Sequence, residues 1–394
     1  MALMLIIIVL ASTSFFIEYY IKIHDISDVK RTIAKAKLNF KYKINQKTGL
    51  DTMVNIDIGI DLGTANTVIY IKDKGIVVNQ PSVVAYEVKT KKVIAVGNKA
   101  KKMLGKTPED IEVVRPIRKG VISDYTLTER MLKAYVKNAI SQRHIWGRPN
   151  ICVCVPSGVT EVEKRAVEDA VYRTGAKNVY ILEEPFAAAV GTKVNIDSPY
   201  GHMIVDIGAG TTDIAVVAKG GISTSTSLKV AGDDFDEAII RYVRKRHNVL
   251  LGDVSAEQLK IDIGSVYERE RDAVGYARGK ELVRGLPVKI SVKSSEMIEA
   301  VREVSDQIID AIKHVLEEAP PELVSDIYDY GIILTGGGSK IFGMDRLIHT
   351  KTGVKANIID NPELAVATGA GTARAYAGIK VETPIFTDFK VEEP

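Results

Sequence analysis

The sequence predicts an α/β fold made of two domains of the same kind. Segments that begin at Ile56 and Met203 both read as strand, glycine-containing turn, strand, second turn and strand. Asp61-Leu62-Gly63 in the first segment corresponds to Asp206-Ile207-Gly208 in the second, 145 residues later. Such a repeat indicates two like-folded domains that face one another. A third glycine cluster, Gly336–Ser339, completes the observations that predict this fold.

The composition is that of an ordinary globular protein. The chain has 394 residues, 46% hydrophobic and 26% charged, which excludes a disordered, collagen-like or polytopic membrane chain. A net charge of +3 favours no nucleic acid as partner. The two cysteines, Cys152 and Cys154, alternate with valines and are predicted to be reduced, buried thiols. Two Cys and six His form no zinc-type cluster.

The first fifty residues differ from the rest. Met1 to Ile17 are almost wholly apolar, and a polar, basic stretch runs from Lys22 to Lys47. The apolar segment is marginal for a spanning helix and lacks the charged n-region of a secretory signal. It is interpreted either as a membrane anchor or as an extension outside the folded unit, because Met53 directly precedes the first well-patterned strand. Residues 1–52 are therefore treated separately from the folded unit. Whether translation starts at Met1 or at Met53 is left open.

The turn after the first strand of each repeat has the chemistry of a phosphate site. Gly63 and Gly208 allow the backbone to approach a ligand closely, and the amides that follow can cradle an anion. Asp61 and Asp206 stand at the strand ends, where carboxylates orient water around a magnesium ion. One such turn would be weak evidence, but two at matched positions are stronger. The predicted phosphate-binding residues are Gly63, Thr64, Ala65, Asn66, Gly208, Ala209, Gly210 and Thr211.

The third glycine cluster follows a buried-strand pattern from Tyr330 to Thr335 and precedes a helical stretch from Ile341 to Thr350. Its glycines let a flat ligand approach, so an adenine or ribose is predicted there. Alone, the cluster would also fit a flexible strand-to-helix turn. The predicted nucleotide-binding residues are Gly336, Gly337, Gly338 and Ser339.

These motifs resemble those of the actin-like ATPase superfamily. Asp61–Thr67 and Asp206–Asp213 are similar to its two phosphate motifs, and Leu334–Ser339 is similar to its adenosine motif. Shorter strings resemble the bacterial MreB family. They are Val78–Val83, Gly105–Pro108, Arg115–Tyr125, Glu183–Pro185 and Pro320–Leu323. The resemblance extends from Ile56 to about Tyr376 and leaves residues 1–52 without a counterpart.

The resemblance implies an actin-like fold: two similar α/β domains with ribonuclease H-like cores around a nucleotide cleft, each with a smaller outer subdomain. ATP and Mg²⁺ are the implied cofactors. The first domain would span residues 53–200, with its outer subdomain at about 85–128, and the second would span 201–375, with its outer subdomain at about 233–295. Residues 376–394 would return to the first domain.

Hydrolysis would depend on a water positioned near the γ-phosphate, because the sequence contains no Ser-His-Asp or Cys-His arrangement. Glu183 and Glu184 end an apolar strand at the head of a helix, a position that also suits a plain charge pair. The resemblance implies that Glu184 activates the water and that Thr211 hydrogen-bonds it. A polar environment is expected to keep Glu184 ionised as a modest base. Ala209 and Asp213 stand where the family usually has Gly and Glu.

Several helices can be placed from capping signals and periodicity. Ser255 with Gln258 predicts one capping box, and Thr160 with Glu163 predicts another, which opens a helix from residue 161 to 174. Apolar residues at steps of three and four from Met297 to Glu318 predict a helix with one core-facing stripe. The resemblance implies that the helix after Ser255 lines the nucleoside pocket. The predicted nucleotide-binding residues there are Glu257, Gln258, Leu259 and Lys260.

A loop-like stretch from Ser141 to Pro149 carries the single Trp of the chain, flanked by Arg143 and Arg148. Trp with cations suits a membrane interface. The resemblance implies a hydrophobic loop that enters the bilayer here, so Ile145 and Trp146 are the predicted membrane contact. A Trp folded into a local core is the alternative.

The function that the resemblance implies is structural. Filaments of the chain would lie at the inner face of the cytoplasmic membrane and organise the cell-wall elongation machinery, with slow ATP hydrolysis coupled to polymerisation. The implied partners are further copies of the chain, the membrane surface and that machinery. A sugar kinase would need a separate pocket with an Asp base, which the sequence does not show. A DnaK-type chaperone would need a peptide-binding domain, for which the 18 residues after Tyr376 are too few.

Overall fold

The structure of the chain is a computed structural model that describes residues 58–141 and 148–373. Predictions that concern residues 1–52, Ile145, Trp146 and residues 376–394 lie outside this part of the chain. None of the helices within it is long and apolar enough to cross a membrane.

The described residues form eighteen strands and ten α-helices. The strands are β1 (Ile58–Leu62), β2 (Asn66–Ile71), β3 (Gly75–Pro81), β4 (Val84–Glu87), β5 (Val93–Val96), β6 (Ile111–Val114), β7 (Ile117–Arg118), β8 (Val121–Ile122), β9 (Asn150–Val155), β10 (Asn178–Glu183), β11 (His202–Ile207), β12 (Thr212–Ala218), β13 (Gly221–Leu228), β14 (Val249–Leu250), β15 (Val274–Glu281), β16 (Pro287–Lys293), β17 (Ile332–Thr335) and β18 (Ala356–Ile358). The helices are α1 (Asn98–Lys101), α2 (Tyr125–Ser141), α3 (Glu161–Tyr172), α4 (Glu184–Gly191), α5 (Gly232–His247), α6 (Asp253–Ile263), α7 (Ser294–Glu318), α8 (Pro321–Tyr330), α9 (Met344–Thr352) and α10 (Ala365–Thr372).

Two five-stranded sheets share one topology. The first has the order β10-β9-β1-β2-β3 and the second, read from the other edge, has the matching order β18-β17-β11-β12-β13. In each sheet the repeated segment forms an antiparallel meander, and a later strand adds in parallel beside its first strand. The sequence repeat is therefore confirmed as a repeat of structure.

Three-stranded sheets accompany the two large ones. The sheet β5-β4-β6 lies within the segment expected to form the first outer subdomain, and β14-β15-β16 lies within the segment expected to form the second. Each large sheet has its own hydrophobic core. Ile58, Ile60 and Met131 are buried in the first core, whereas Met203 and Phe235 are buried in the second.

Two helices cross between the large sheets. α4 follows β10 of the first sheet but packs against β11 and β12 of the second. α10 follows the strands of the second sheet but packs against β1 and β2 of the first, and the two helices contact each other. This crossing brings the start of α4 next to the carboxyl ends of both central strands, β1 and β11.

The capping predictions have different outcomes. Thr160 and Glu163 form the expected capping box at the start of α3, which ends at Tyr172. The Ser255 box is wrong: α6 begins at Asp253 with Gly252 as its N-cap, so Ser255 already lies inside the first turn. The apolar stripe of α7 is buried as predicted, although the helix starts at Ser294. Cys152 and Cys154 are free and buried, as expected.

Candidate functional site

The two phosphate-type turns meet face to face. A Cβ atom on Gly210 of the second turn would lie 2.4 Å from Oγ1 of Thr64 in the first turn, so only glycine permits this approach. Oγ1 of Thr64 also accepts a hydrogen bond from the amide of Gly120 at 3.1 Å. The backbone amides of Thr64, Ala65 and Ala209 donate to no backbone acceptor within the described residues. Both turns thus present amides suited to an anion.

The third glycine cluster packs on the end of β11. Thr335 donates a hydrogen bond to Oδ1 of Asp206 at 2.9 Å. A Cβ atom on Gly336 would lie 2.2 Å from the carbonyl oxygen of Ile207, so the backbone passes this strand at close range. The cluster forms a 3-10 helix from Gly337 to Lys340 in which the buried Ser339 hydroxyl donates to the Gly336 carbonyl. The cluster therefore lies beside the second turn, as the sequence predicts, with the Ser339 hydroxyl already engaged.

Four carboxyl groups, the site carboxyls, gather where these turns meet. Asp206, Asp213 and Glu184 are buried and Asp61 is half-buried. Burial raises the pKa of Asp61 to about 7. Burial, together with the charges of Asp213 and Asp61, raises the pKa of Asp206 to about 8. In the described part of the chain, no three His, Cys, Asp or Glu side chains are grouped so that they could hold a metal ion directly.

Glu184 differs from its expected environment. It stands at the first position of α4, before Pro185, and it is buried. Burial and the charges of Asp213, Asp61 and Asp206 raise the pKa of Glu184 well above its usual range. The prediction that its surroundings keep Glu184 ionised is therefore wrong, because burial and the three neighbouring carboxyls favour the protonated form.

Asp213 is a site residue that the sequence reasoning treated only as a departure from a family pattern. It lies on β12 directly opposite Asp206 and is fully buried. Its Oδ1 accepts a hydrogen bond from the amide of Ser157 at 2.8 Å. Its Oδ2 has no hydrogen-bond partner among the described residues, and burial raises its pKa to about 6. A charged residue at the start of the otherwise apolar stretch Ile214–Ala218 was the available signal.

The α6 residues divide by the face of the helix on which they lie. Nζ of Lys260 contacts Oδ2 of Asp236 at 2.9 Å and the Gly232 carbonyl at 2.8 Å, next to the second turn. Leu259 packs in the hydrophobic core, and Gln258 is exposed and bonded to Asp262. Because a helix turns by 3.6 residues, four consecutive residues cannot share one face. Lys260 is the member of the predicted set that the structure brings next to the second turn.

Among residues 58–141 and 148–373, three ion pairs join the two halves across the cleft. Lys101 contacts Glu257 at 3.1 Å, Arg115 contacts Asp233 at 3.1 Å, and Lys119 contacts Asp234 at 2.6 Å. In every pair the cation comes from the first half and the carboxylate from the second. The partners are more than a hundred residues apart, so nothing in the sequence could pair them.

A cavity of about 310 Å³ adjoins the site on the side of β13. Its lining includes Lys119, Ser157, Thr211, Thr226 and Lys229. Ser157 also donates through its hydroxyl to Glu183 at 2.6 Å. The Glu183 carboxylate is thus hydrogen-bonded to Ser157. Glu184 is the carboxyl that lies with Asp61, Asp206 and Asp213.

Comparison with protein families and characterised proteins gives consistent matches. The family model of the MreB/Mbl protein matches residues 55–380. The chain is 46% identical over 315 residues to the cell shape-determining protein Mbl of Bacillus cereus, which covers 80% of this chain and 94% of that protein. It is 43% identical over 325 residues to the cell shape-determining protein MreB of Escherichia coli, covering 82% of this chain and 94% of that protein.

Solved structures show the same fold. The crystal structure of MreB5 of Spiroplasma citri bound to ADP has a TM-score of 0.76 and 36% identity, and covers 79% of this chain and 94% of that one. MreB5 bound to AMPPNP has a TM-score of 0.74, with 36% identity and coverage of 79% and 93%. A MamK double helical filament, 23% identical with a TM-score of 0.69 and coverage of 80% and 97%, shares the fold. The predicted actin-like α/β fold is confirmed.

Proposed function

Because this chain belongs to the MreB/Mbl family, we propose that it is an ATP-dependent, filament-forming bacterial actin homologue. In this proposal the filaments assemble at the cytoplasmic membrane and organise cell-wall elongation, which determines rod cell shape. The observation that carries the proposal is the meeting of Gly63–Asn66 and Gly208–Thr211 beside the site carboxyls. The MreB5 structures bound to ADP and AMPPNP support a nucleotide as the ligand.

The site carboxyls fit a hydrated divalent cation. Mg²⁺ prefers oxygen ligands and keeps several of its waters, and the free Oδ2 of Asp213 marks unused acceptor capacity. Asp61 and Asp206 would hold the ion through water. When bound, the ion supplies positive charge that offsets the charge of the phosphates.

The turns and glycines of the chain would bind the nucleotide. The amides of Thr64 and Ala65 in Gly63–Asn66, and of Ala209 in Gly208–Thr211, would hold the phosphate oxygens, since successive backbone amides form a concave anion site. Gly336–Gly338 would leave room for the flat nucleoside, with Lys260 and Glu257 at its side.

The proposal also includes the domain boundaries, with the first domain at residues 53–200 and the second at residues 201–375.

Glu184 and Thr211 would act on the attacking water. The Glu184 carboxylate would accept the proton of that water, and the Thr211 hydroxyl would orient it. Burial and the charges of Asp213, Asp61 and Asp206 raise the pKa of Glu184, so Glu184 can ionise more readily once those charges are offset. A base whose ionisation is favoured by the bound cation is consistent with the slow ATPase that we propose.

The proposal places the protein in the cytoplasm, peripheral to the inner face of the cell membrane. Its proposed partners are further copies of the chain, the membrane surface and the cell-wall elongation machinery. Ile145 and Trp146 are the proposed membrane contact, on the residue chemistry of their loop.

The test combines assembly with hydrolysis. The full chain is imaged by electron microscopy on vesicles that contain phosphatidylglycerol, with Mg²⁺ and either ATP or ADP, while phosphate release is recorded. We expect filaments on the lipid with ATP, and a fall in phosphate release of about 10²-fold or more in Glu184→Gln, the range of general-base effects. Glu161→Gln, on the exposed start of α3, is the matched control.

The alternatives predict other results. Soluble monomer at every concentration with ATP would contradict the filament proposal. ADP release that depends on an added sugar would favour a sugar kinase, and turnover stimulated by peptides would favour a chaperone-like ATPase.

A further inference from the structure

A shielded ion pair joins α5 to α6 beside the second turn. Nζ of Lys260 donates hydrogen bonds to Oδ2 of Asp236 at 2.9 Å and to the Gly232 carbonyl at 2.8 Å. Asp236 is 9% exposed, and 18% of the Lys260 side chain is exposed. Burial raises the pKa of Asp236 to about 6, although the Lys260 charge opposes this shift, so the carboxyl is ionised at neutral pH.

Both partners of this pair keep unused hydrogen-bonding capacity. Oδ1 of Asp236 is buried and has no hydrogen-bond partner among the residues that the structure describes. A lysine ammonium has three protons to donate, and the contacts of Lys260 with Asp236 and Gly232 use two of them. An ion pair that serves only to join two helices is most stable when its remaining lone pairs are also satisfied. The free Oδ1 therefore calls for another explanation.

The Lys260 ammonium lies close to the place where the second turn meets the third glycine cluster. A Cβ atom on Gly232 would lie 3.1 Å from the Gly208 carbonyl oxygen and 3.6 Å from Nζ of Lys260. A Cβ atom on Gly338 would lie 2.9 Å from the same Gly208 oxygen. The amide of Gly232 also donates to that oxygen at 3.2 Å. Lys260 and the glycines proposed to border the nucleoside therefore both lie near one backbone carbonyl.

The same face of α6 is turned toward the cleft. Glu257 precedes Lys260 by three residues and contacts Lys101 of the first half at 3.1 Å. Residues three apart are neighbours on the surface of a helix. The Lys260 side chain is thus on the side of α6 that faces the other half.

We propose that Asp236 is a positioning residue for nucleotide binding, which holds the Lys260 ammonium in place so that its third proton is donated to the nucleoside. This inference rests on the proposed binding of ATP and adds to it the residue that orients Lys260. Lysine has a flexible four-carbon stem, and ordering it only when the ligand arrives would cost conformational entropy. Because Asp236 orders the side chain beforehand, less affinity is lost on binding.

Titration calorimetry of the full chain with ADP and with tripolyphosphate, both with Mg²⁺, tests this role. Asp236→Asn keeps the size of the side chain but removes its charge. We expect the Kd for ADP to rise about tenfold, in the range of a hydrogen bond to a charged group. The Kd for tripolyphosphate should be unchanged, because that ligand has no nucleoside. Asp306→Asn removes a partly exposed pair with Lys351 and is the matched control that should bind both ligands normally.

A double-mutant cycle separates positioning of Lys260 from an independent effect of Asp236. Lys260→Met removes the ammonium and should also raise the Kd for ADP about tenfold. Adding Asp236→Asn to Lys260→Met should raise it no further, because two residues that act through one contact are not additive. Asp236→Ser removes the same carboxylate without adding volume and is the second variant. Thermal unfolding identifies which variants are folded.

The other results overturn the inference in distinguishable ways. An unchanged Kd for ADP in the folded Asp236 variants would exclude this role while nucleotide binding stands. Equal losses for ADP and tripolyphosphate would also exclude it, because they would show that the second turn itself is disturbed. An additive loss in the combined variant would show that Asp236 does not act through Lys260. If the unmodified chain binds neither ligand, the inference and the proposed ATP site fail together.

Discussion

Asp206 and Asp213 stand opposite each other on β11 and β12, and Asp61 occupies the position of Asp206 in the first sheet. Burying a carboxylate without a cation is costly, and placing another beside it adds repulsion. The fold nevertheless groups these carboxyls where the two sheets face each other, and their pKa values are raised as a result. Such perturbed groups concentrate at functional sites. These grouped carboxyls with raised pKa values therefore favour a ligand that carries positive charge.

These pKa values predict how stability depends on pH without ligand. The ordinary aspartate value is 3.8, whereas Asp213, Asp61 and Asp206 have raised values of about 6, 7 and 8. Between these limits the folded chain holds more protons than the unfolded chain, so the free energy of unfolding falls as the pH rises. Thermal unfolding should show a lower midpoint at about pH 8 than at about pH 5.

Asp206→Asn separates this effect from general pH sensitivity. The amide oxygen can still accept the Thr335 hydroxyl, and the variant should unfold at a higher temperature than the unmodified chain at about pH 8 but not at about pH 5. Asp310→Asn, on the exposed face of α7, should behave like the unmodified chain. Equal midpoints for Asp206→Asn and the unmodified chain at the higher pH would contradict the prediction.

At the scale of elements, the sequence predicted what short-range patterns determine. The two meanders follow from alternating apolar residues and glycine turns, and the stripe of α7 follows from its period. The starts of helices were predicted less accurately. Thr160 and Ser255 carry the same capping signal, but only Thr160 caps a helix. In the structure Gly252 is the N-cap, and α6 starts three residues earlier than the signal suggests. Whether Gly252 or Ser255 caps the helix depends on the path of the preceding chain, and tertiary packing determines that path.

The two capping signals give a matched test. Thr160→Ala should lower the free energy of unfolding by about 1 kcal/mol, because the Thr160 side chain accepts the amide of Glu163. Ser255→Ala should leave the free energy of unfolding unchanged or raise it by a few tenths of a kcal/mol, since Ser255 lies inside the helix and Ala is the better helix former. Urea unfolding of both variants measures the difference. A larger loss for Ser255→Ala than for Thr160→Ala would show that the α6 cap is misplaced.

At the scale of the whole molecule, the halves are joined by contacts that no local pattern encodes. The crossing of α4 and α10 and the ion pairs across the cleft bring together residues from distant parts of the chain. The sequence therefore predicted the parts of the site, which are the turns, Asp61 and Asp206, but neither the burial of Glu184 nor the role of Asp213 as its neighbour. Burial depends on how the halves close, and closure is set by these long-range contacts.

Closure of the cleft should consequently depend on salt. Lys101 and Arg115 pair with Glu257 and Asp233 across the cleft, with all four side chains partly exposed. Pairs of this kind contribute about 0.2–1 kcal/mol each. Lys101→Met with Arg115→Met should therefore release a bound fluorescent ATP analogue about threefold to tenfold faster in stopped flow.

Added salt should accelerate release from the unmodified chain more than from this variant, because salt screens pairs that the variant lacks. Lys133→Met removes a pair within one helix and should leave release unchanged. Equal release rates for the double variant and the unmodified chain would mean that packing of α4 on α10, rather than charge, keeps the cleft closed.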